Sequence, residues 1–114
     1  MDEVLNLAAM QHPKPALFNT GTVVSTTGLH NWAQQHFPAE LLMDDLWVSI
    51  LVHAHIRGVG WDDLPGEDGE LNRSAIQPGK ESRIMSVYKI AGEIIWIITE
   101  WDRSVTTLLF PHEY

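Results

Sequence analysis

The run Ile94-Ile95-Trp96-Ile97-Ile98 is apolar at every position. A strand of that composition turns hydrophobic side chains to both faces of a sheet, so it belongs at the centre, covered by helices on at least one side. Just before it, Ala91-Gly92 is a two-residue turn with glycine to take a positive φ, and residues 83–90 alternate through Ile84, Ser86, Tyr88 and Ile90. Together these features predict a β-hairpin of residues 83–90 and 93–100. Trp101-Asp102-Arg103 makes the next turn, and residues 104–110 form a further strand, completing an antiparallel meander.

The rest of the chain has to supply the cover. Gly21-Thr22-Val23-Val24-Ser25-Thr26 is rich in β-branched residues and bounded by turn formers, which predicts another strand. Thr26 or Thr27 is placed to cap a helix through residue 37, with Leu29, Trp32, Ala33 and His36 at three-to-four spacing. Residues 39–57 also read as helical, with Leu42, Leu46, Ile50 and His53 or Ala54 on one stripe and Gly58 and Gly60 closing it. The alternative is a break at Asp44-Asp45, with these acids capping a new helix. A short helix over 66–76 turns Leu71, Ala75 and Ile76 inward, takes Asp63 or Asp68 as N-cap, and ends at Pro78-Gly79. Pro13-Lys14-Pro15 sets off residues 1–16 as a short leader, helical or flexible. The expected architecture is a single α+β domain over residues 17–114, an antiparallel sheet of about four strands with two to three helices packed on one face.

Charge narrows the range of functions. Seven Lys plus Arg against fifteen Asp plus Glu leave a net charge of −8, which opposes direct contact with nucleic acid or an anionic membrane and favours a protein partner with a basic surface. Residues 62–81 alone carry six acids and two bases. With no cysteine there is no disulfide, thiolate nucleophile or thiolate metal site. The first residues carry acids where a secretory signal needs positive charge, and the longest apolar-rich stretch, residues 46–55, falls short of the roughly 20 residues of a membrane span. The expected compartment is the cytoplasm.

Few residues promise chemistry. His53 and His55 are metal-ligand types, but on a helix they point about 200° apart and one ion cannot take both; the expectation is His53 towards the core with a hydrogen bond and His55 towards solvent or a loop carboxylate, with no metal. Asp62-Asp63 and Glu67-Asp68 fail the calcium-loop spacing, because Leu64 and Pro65 stand where ligands belong. Asp102 and Arg103 read as a turn ion pair, and His53 or His55 with Asp102 and Arg103 is the one set a small hydrolase or nuclease would use. Phosphate-loop, nucleophile-elbow and HExxH motifs do not occur, and no cofactor is expected. Trp47, Trp61 and Trp101 lie beside acids, a pairing of apolar anchor and negative rim that suits a basic protein surface; filling the helix–sheet interface explains them equally well. The expected binding surface is Asp62, Asp63, Glu67, Asp68 and Glu70 with Trp61, extended by Asp44, Asp45 and Trp47.

The tail Ile95-Trp96-Ile97-Ile98-Thr99-Glu100-x-Asp102-Arg103-Ser104-x-Thr106-Thr107-x-Leu109-x-Pro111-x-Glu113-Tyr114 resembles the closing segment of a family of short proteins encoded on bacterial plasmids and integrative elements. Gly58, Gly60-Trp61, Asp63-Leu64, Asp68, Asn72, Ala75-Ile76, Gly79, Arg83-Ile84, Ser86 and Tyr88 are similar to that family's middle, while residues 29–57 diverge. The resemblance implies a gene on mobile DNA. In that setting a small acidic protein is expected to counter host defence, of CRISPR or restriction type, by occupying basic surfaces meant for nucleic acid. The competing expectations are the hydrolase or nuclease named above and a structural homodimer paired through a sheet edge.

Overall fold

The computed structural model describes residues 14–114, so most of the leader expected over residues 1–16 lies outside the described residues. The elements run β1 (Thr22–Ser25), α1 (Thr27–His36), α2 (Ala39–Leu42), α3 (Leu46–Ile56), α4 (Asp68–Ala75), β2 (Ile84–Ile90), β3 (Glu93–Thr99) and β4 (Val105–Leu109). A 3-10 turn over Trp61–Asp63 precedes α4, and another over Pro111–Glu113 closes the chain. The fold is α+β, as expected, with β3 between β4 and β2 in a sheet of order β1-β4-β3-β2.

The hairpin forms where the sequence places it. Ala91 and Gly92 both take positive φ, 49° and 84°, the turn whose twist matches its flanking strands, and Ile90 faces Glu93 while Ile84 faces Thr99. β3 pairs antiparallel with β4, Ile97 opposite Leu108. The expectation of a wholly antiparallel sheet needs one correction, since β1 runs parallel to β4 with Val23 opposite Thr106. Hairpin-linked neighbours are forced antiparallel, whereas the helices all lie in the long crossover from β1 to β2, which frees β1 to line up parallel to β4 at the far edge of the meander.

Helices cover one face. Leu29 and Ala33 of α1 and Trp47, Ile50, Leu51 and Ala54 of α3 pack against Tyr88, Ile90, Ile95, Ile97, Leu108 and Phe110. Burying each such isoleucine or leucine contributes about 1.5–3 kcal/mol. A smaller cluster joins Trp61, Ala75 and Ile84 to Leu17, Phe18, Leu64 and Ile76. Thr26 caps α1 by accepting from the Leu29 N–H and donates its own hydroxyl to Glu113, tying the chain's end to the helix start.

The continuous helix over 39–57 is replaced by its alternative, a break. Asp44 and Asp45 both sit at φ 52°, left-handed backbone that no helix continues through, and neither side chain caps α3. Of the expected stripe, Ile50 and Ala54 are buried while Leu42, Leu46 and His53 are only half-buried; the interruption rotates α3 so that Trp47, Leu51 and His55 join the buried set. On α4 the cap position falls to Glu67, with no side-chain bond, instead of to Asp63 or Asp68. Leu71, expected inward, is 58% exposed, because Gly69, Asn72 and Ala75 form the buried side.

Candidate functional site

Polar groups gather in two places. The first is interior. His55 Nδ1 lies 2.6 Å from Ser86 Oγ, and its Nε2 lies 2.9 Å from Thr99 Oγ1. Trp61 Nε1 donates to the same Ser86 oxygen at 2.9 Å. Thr99 Oγ1 is 2.6 Å from Thr106 Oγ1, which donates to the Thr20 carbonyl at 2.8 Å. The strand pattern brings this about, because Ser86 shares the inward parity of Ile84, Tyr88 and Ile90, and Thr99 and Thr106 are cross-strand partners on the same face.

The two ends of this seam set its direction. A carbonyl only accepts, so the Thr106 proton goes to Thr20, the Thr99 proton to Thr106, and His55 Nε2–H to Thr99. His55 Nδ1 is therefore the bare nitrogen and accepts from the Ser86 hydroxyl, while the indole N–H, which only donates, points into Ser86. A neutral imidazole satisfies every link. Burial, with a smaller push from the Arg103 charge, takes the His55 pKa down to about 3.

Ser86 beside His55 has the spacing of a nucleophile and its base, yet both are completely buried and Phe18 packs edge-on against the imidazole. The four residues of the expected hydrolase or nuclease set do not assemble. His55 is inside and His53 only half-buried, the reverse of their expected placements. Arg57 donates to His53 Nδ1, and burial together with that charge holds the His53 pKa below its ordinary value. Asp102 accepts from the Ser104 hydroxyl and N–H, which lowers its pKa, and does not pair with Arg103. Arg103 instead clasps the carbonyls of Ala75, Ser82, Glu100 and Trp101 and lies over the Phe18 ring.

The second gathering is exterior. Asp62, Asp63, Glu67 and Glu70 are exposed on the 3-10 turn and on α4, with Asp68 half-exposed among them. Arg73 pairs with Asp62 at 2.6 Å and leans over the Trp61 ring. No basic side chain among the described residues pairs with the other four acids. Gly69 holds the turn against the helix so closely that a Cβ there would overlap the Trp61 carbonyl. Asn72, on the next step of α4, donates to the Met85 carbonyl at 2.7 Å and accepts from the Met85 N–H at 3.1 Å. The acids therefore stand on a scaffold locked to β2.

The aromatic part of the expected surface needs correction. Trp47 and Trp61 are fully buried, Trp47 in the main core and Trp61 in the smaller cluster, so neither offers a partner an anchor. Asp44 and Asp45 are exposed, on the left-handed segment between α2 and α3 and not on the turn or helix that carries the ridge. Trp101 alone of the expected trio is solvent-facing, at 64% exposure. A hollow of about 340 Å³ beside the ridge is lined by Lys14, Arg57, Gly60, Asp62, Asp63 and Arg73. Its charges are mixed, and its two arginines are already engaged with His53 and Asp62.

Sequence reasoning missed the seam. The available signal was a serine or threonine at an inward position of otherwise apolar strands, Ser86, Thr99 and Thr106, with a histidine on the covering helix. Among the described residues no group of three or more His, Asp or Glu is arranged to hold a metal ion, and no helix is long and apolar enough to cross a membrane. No family model, curated protein or solved structure matches the chain.

Proposed function

We propose that this protein acts by binding, and that the ridge of Asp62, Asp63, Glu67, Asp68 and Glu70 takes the place of a phosphate backbone on a basic protein surface. The observation that carries this reading is a row of carboxylates, all but one without a basic partner among the described residues, held on a turn and a helix locked together at Gly69. Such an array steers a positively charged partner and fixes its register. With the resemblance to mobile-element proteins, the partner class is a nucleic-acid-handling complex of host defence, met in the cytoplasm and inhibited by occupation of its nucleic-acid groove.

The test is affinity capture from a bacterial host with the wild-type chain and with a variant carrying Asp62→Lys, Asp63→Lys, Glu67→Lys and Asp68→Lys. The expected result is a nucleic-acid-binding complex retained by wild type, released by duplex DNA or by raised salt, and lost on the variant. Equal retention by both chains would overturn the reading.

A further inference from the structure

The two edges of the sheet are built differently. At the β2 edge, Asn72 pairs with the Met85 N–H and C=O as a neighbouring strand would, and the acidic ridge stands beside it. At the β1 edge nothing comparable is present among the described residues. Thr22, Val23 and Val24 are exposed, with Val23 at 36% and Val24 at 43%. The Thr22 and Thr26 N–H groups bond to the Ser104 and Leu108 carbonyls of the β4 side. Alternation along the strand then turns the N–H and C=O of Val23 and Ser25 outward, to the open edge.

Among the described residues this edge lacks the devices that keep edges apart. From Pro15 to Ala39 the chain contains no Asp, Glu, Lys or Arg, although it carries −8 overall. Neither proline, charge nor bulge interrupts β1, and its residues are β-branched. Glu113 and Asp102, on the segments flanking β4, are occupied, Glu113 by Thr26 and the Phe110 N–H, Asp102 by Ser104.

We infer that β1 is the docking edge for a second copy of this chain, paired antiparallel about a two-fold axis through Val24. Val23 then exchanges main-chain hydrogen bonds with the partner's Ser25, and Ser25 with the partner's Val23. Charge selects this occupant. A basic protein is drawn to the β2 side, while a copy meeting β1 brings an equally neutral, self-complementary strand and leaves its own ridge at the far end of the sheet. The product is one continuous sheet of two protomers with an acidic ridge at each outer end, which presents two binding surfaces to one large target. A strand of four residues covers less than the roughly 1,000 Å² of a stable interface, so the association is micromolar in strength.

Sedimentation equilibrium on the full chain across the micromolar range tests the inference without any partner. The mass is expected to climb from 12.9 kDa towards twice that value. Val24→Lys, which sets two ammonium groups against each other at the axis, should weaken the dimer at least tenfold while leaving the far-UV circular dichroism unchanged. Leu71→Lys, on the exposed side of α4, should leave it intact. Should Val24→Lys fail to fold, amide exchange of the wild type decides, with slow exchange at Val23 and Ser25 appearing only at high concentration. A monomer at every concentration overturns the proposal, and so does a dimer indifferent to Val24→Lys, dissolved by Leu71→Lys, or with fast-exchanging Val23 and Ser25 amides. A monomer that takes up an extended foreign peptide at β1 overturns it too, in favour of a different occupant.

Discussion

The buried seam and the acidic ridge meet at one short turn, where Trp61 donates inward to Ser86 while Asp62 and Asp63 face water. Within the seam each donor is matched to an acceptor and the chain of bonds has a single sense. Outside, the carboxylates are left almost wholly unmatched. The contrast separates polar groups that hold the fold from polar groups free to meet something else. It also explains why the Ser86–His55 pair, despite its spacing, is scaffold.

Breaking the seam should have the largest effect. His55→Ala removes a fully buried ring and strands Ser86 and Thr99, and is expected to cost about 3–5 kcal/mol, read from urea unfolding at pH 7. A loss below about 1 kcal/mol would mean that the seam relaxes freely, and the contrast with the ridge would fail. The same residue sets a pH dependence. Its folded pKa of about 3 lies below the ordinary 6.5, so the unfolded chain binds the extra proton. Stability should be complete above about pH 6.5 and fall, by up to about 1.4 kcal/mol per pH unit, as the pH drops towards 3. His55→Gln should remove that slope from the acid limb of an unfolding series.

Loosening the joint between the regions should cost less. Gly69→Ala drives a Cβ into the Trp61 carbonyl and is expected to lower stability by about 1–3 kcal/mol, measured as a drop in Tm, and to weaken ridge binding with it. Unchanged Tm would show that turn and helix part easily. Altering the ridge alone should barely register. Asp62→Ala deletes an exposed pair with Arg73 and should cost no more than about 1 kcal/mol by the same urea assay. A larger loss would make the ridge part of the scaffold.

Much of the fold was legible because local chemistry and tertiary context agree there. Ala91-Gly92 sets the hairpin register, Thr26 caps α1, and the apolar run of β3 can only be central. Legibility failed where two signals share one residue type. Asp44-Asp45 reads equally as helix surface, cap or breaker, and once the backbone turns left-handed there, the phase of α3 shifts and exchanges the roles of His53 and His55. Trp47 and Trp61 stand beside acids in sequence, but neighbours along a helix or a 3-10 turn point different ways, so adjacency says nothing of a shared surface. Leu71 shows the same limit on α4, where the small residues Gly69 and Ala75 take the buried side for close approach. The acids of the ridge were readable as exposed charge; their locked scaffold was not, because Asn72 and Gly69 act through main-chain contacts that no side-chain pattern reports.

The close seat of Gly69 on the Trp61 carbonyl bears on the thermodynamics of association. A partner meeting a floppy acidic loop must first order it, at about 0.5–1.5 kcal/mol for each side chain immobilised, with the backbone cost added. Here the backbone beneath the acids is already ordered before any encounter, so the entropy lost on binding is confined to the carboxylate rotamers themselves.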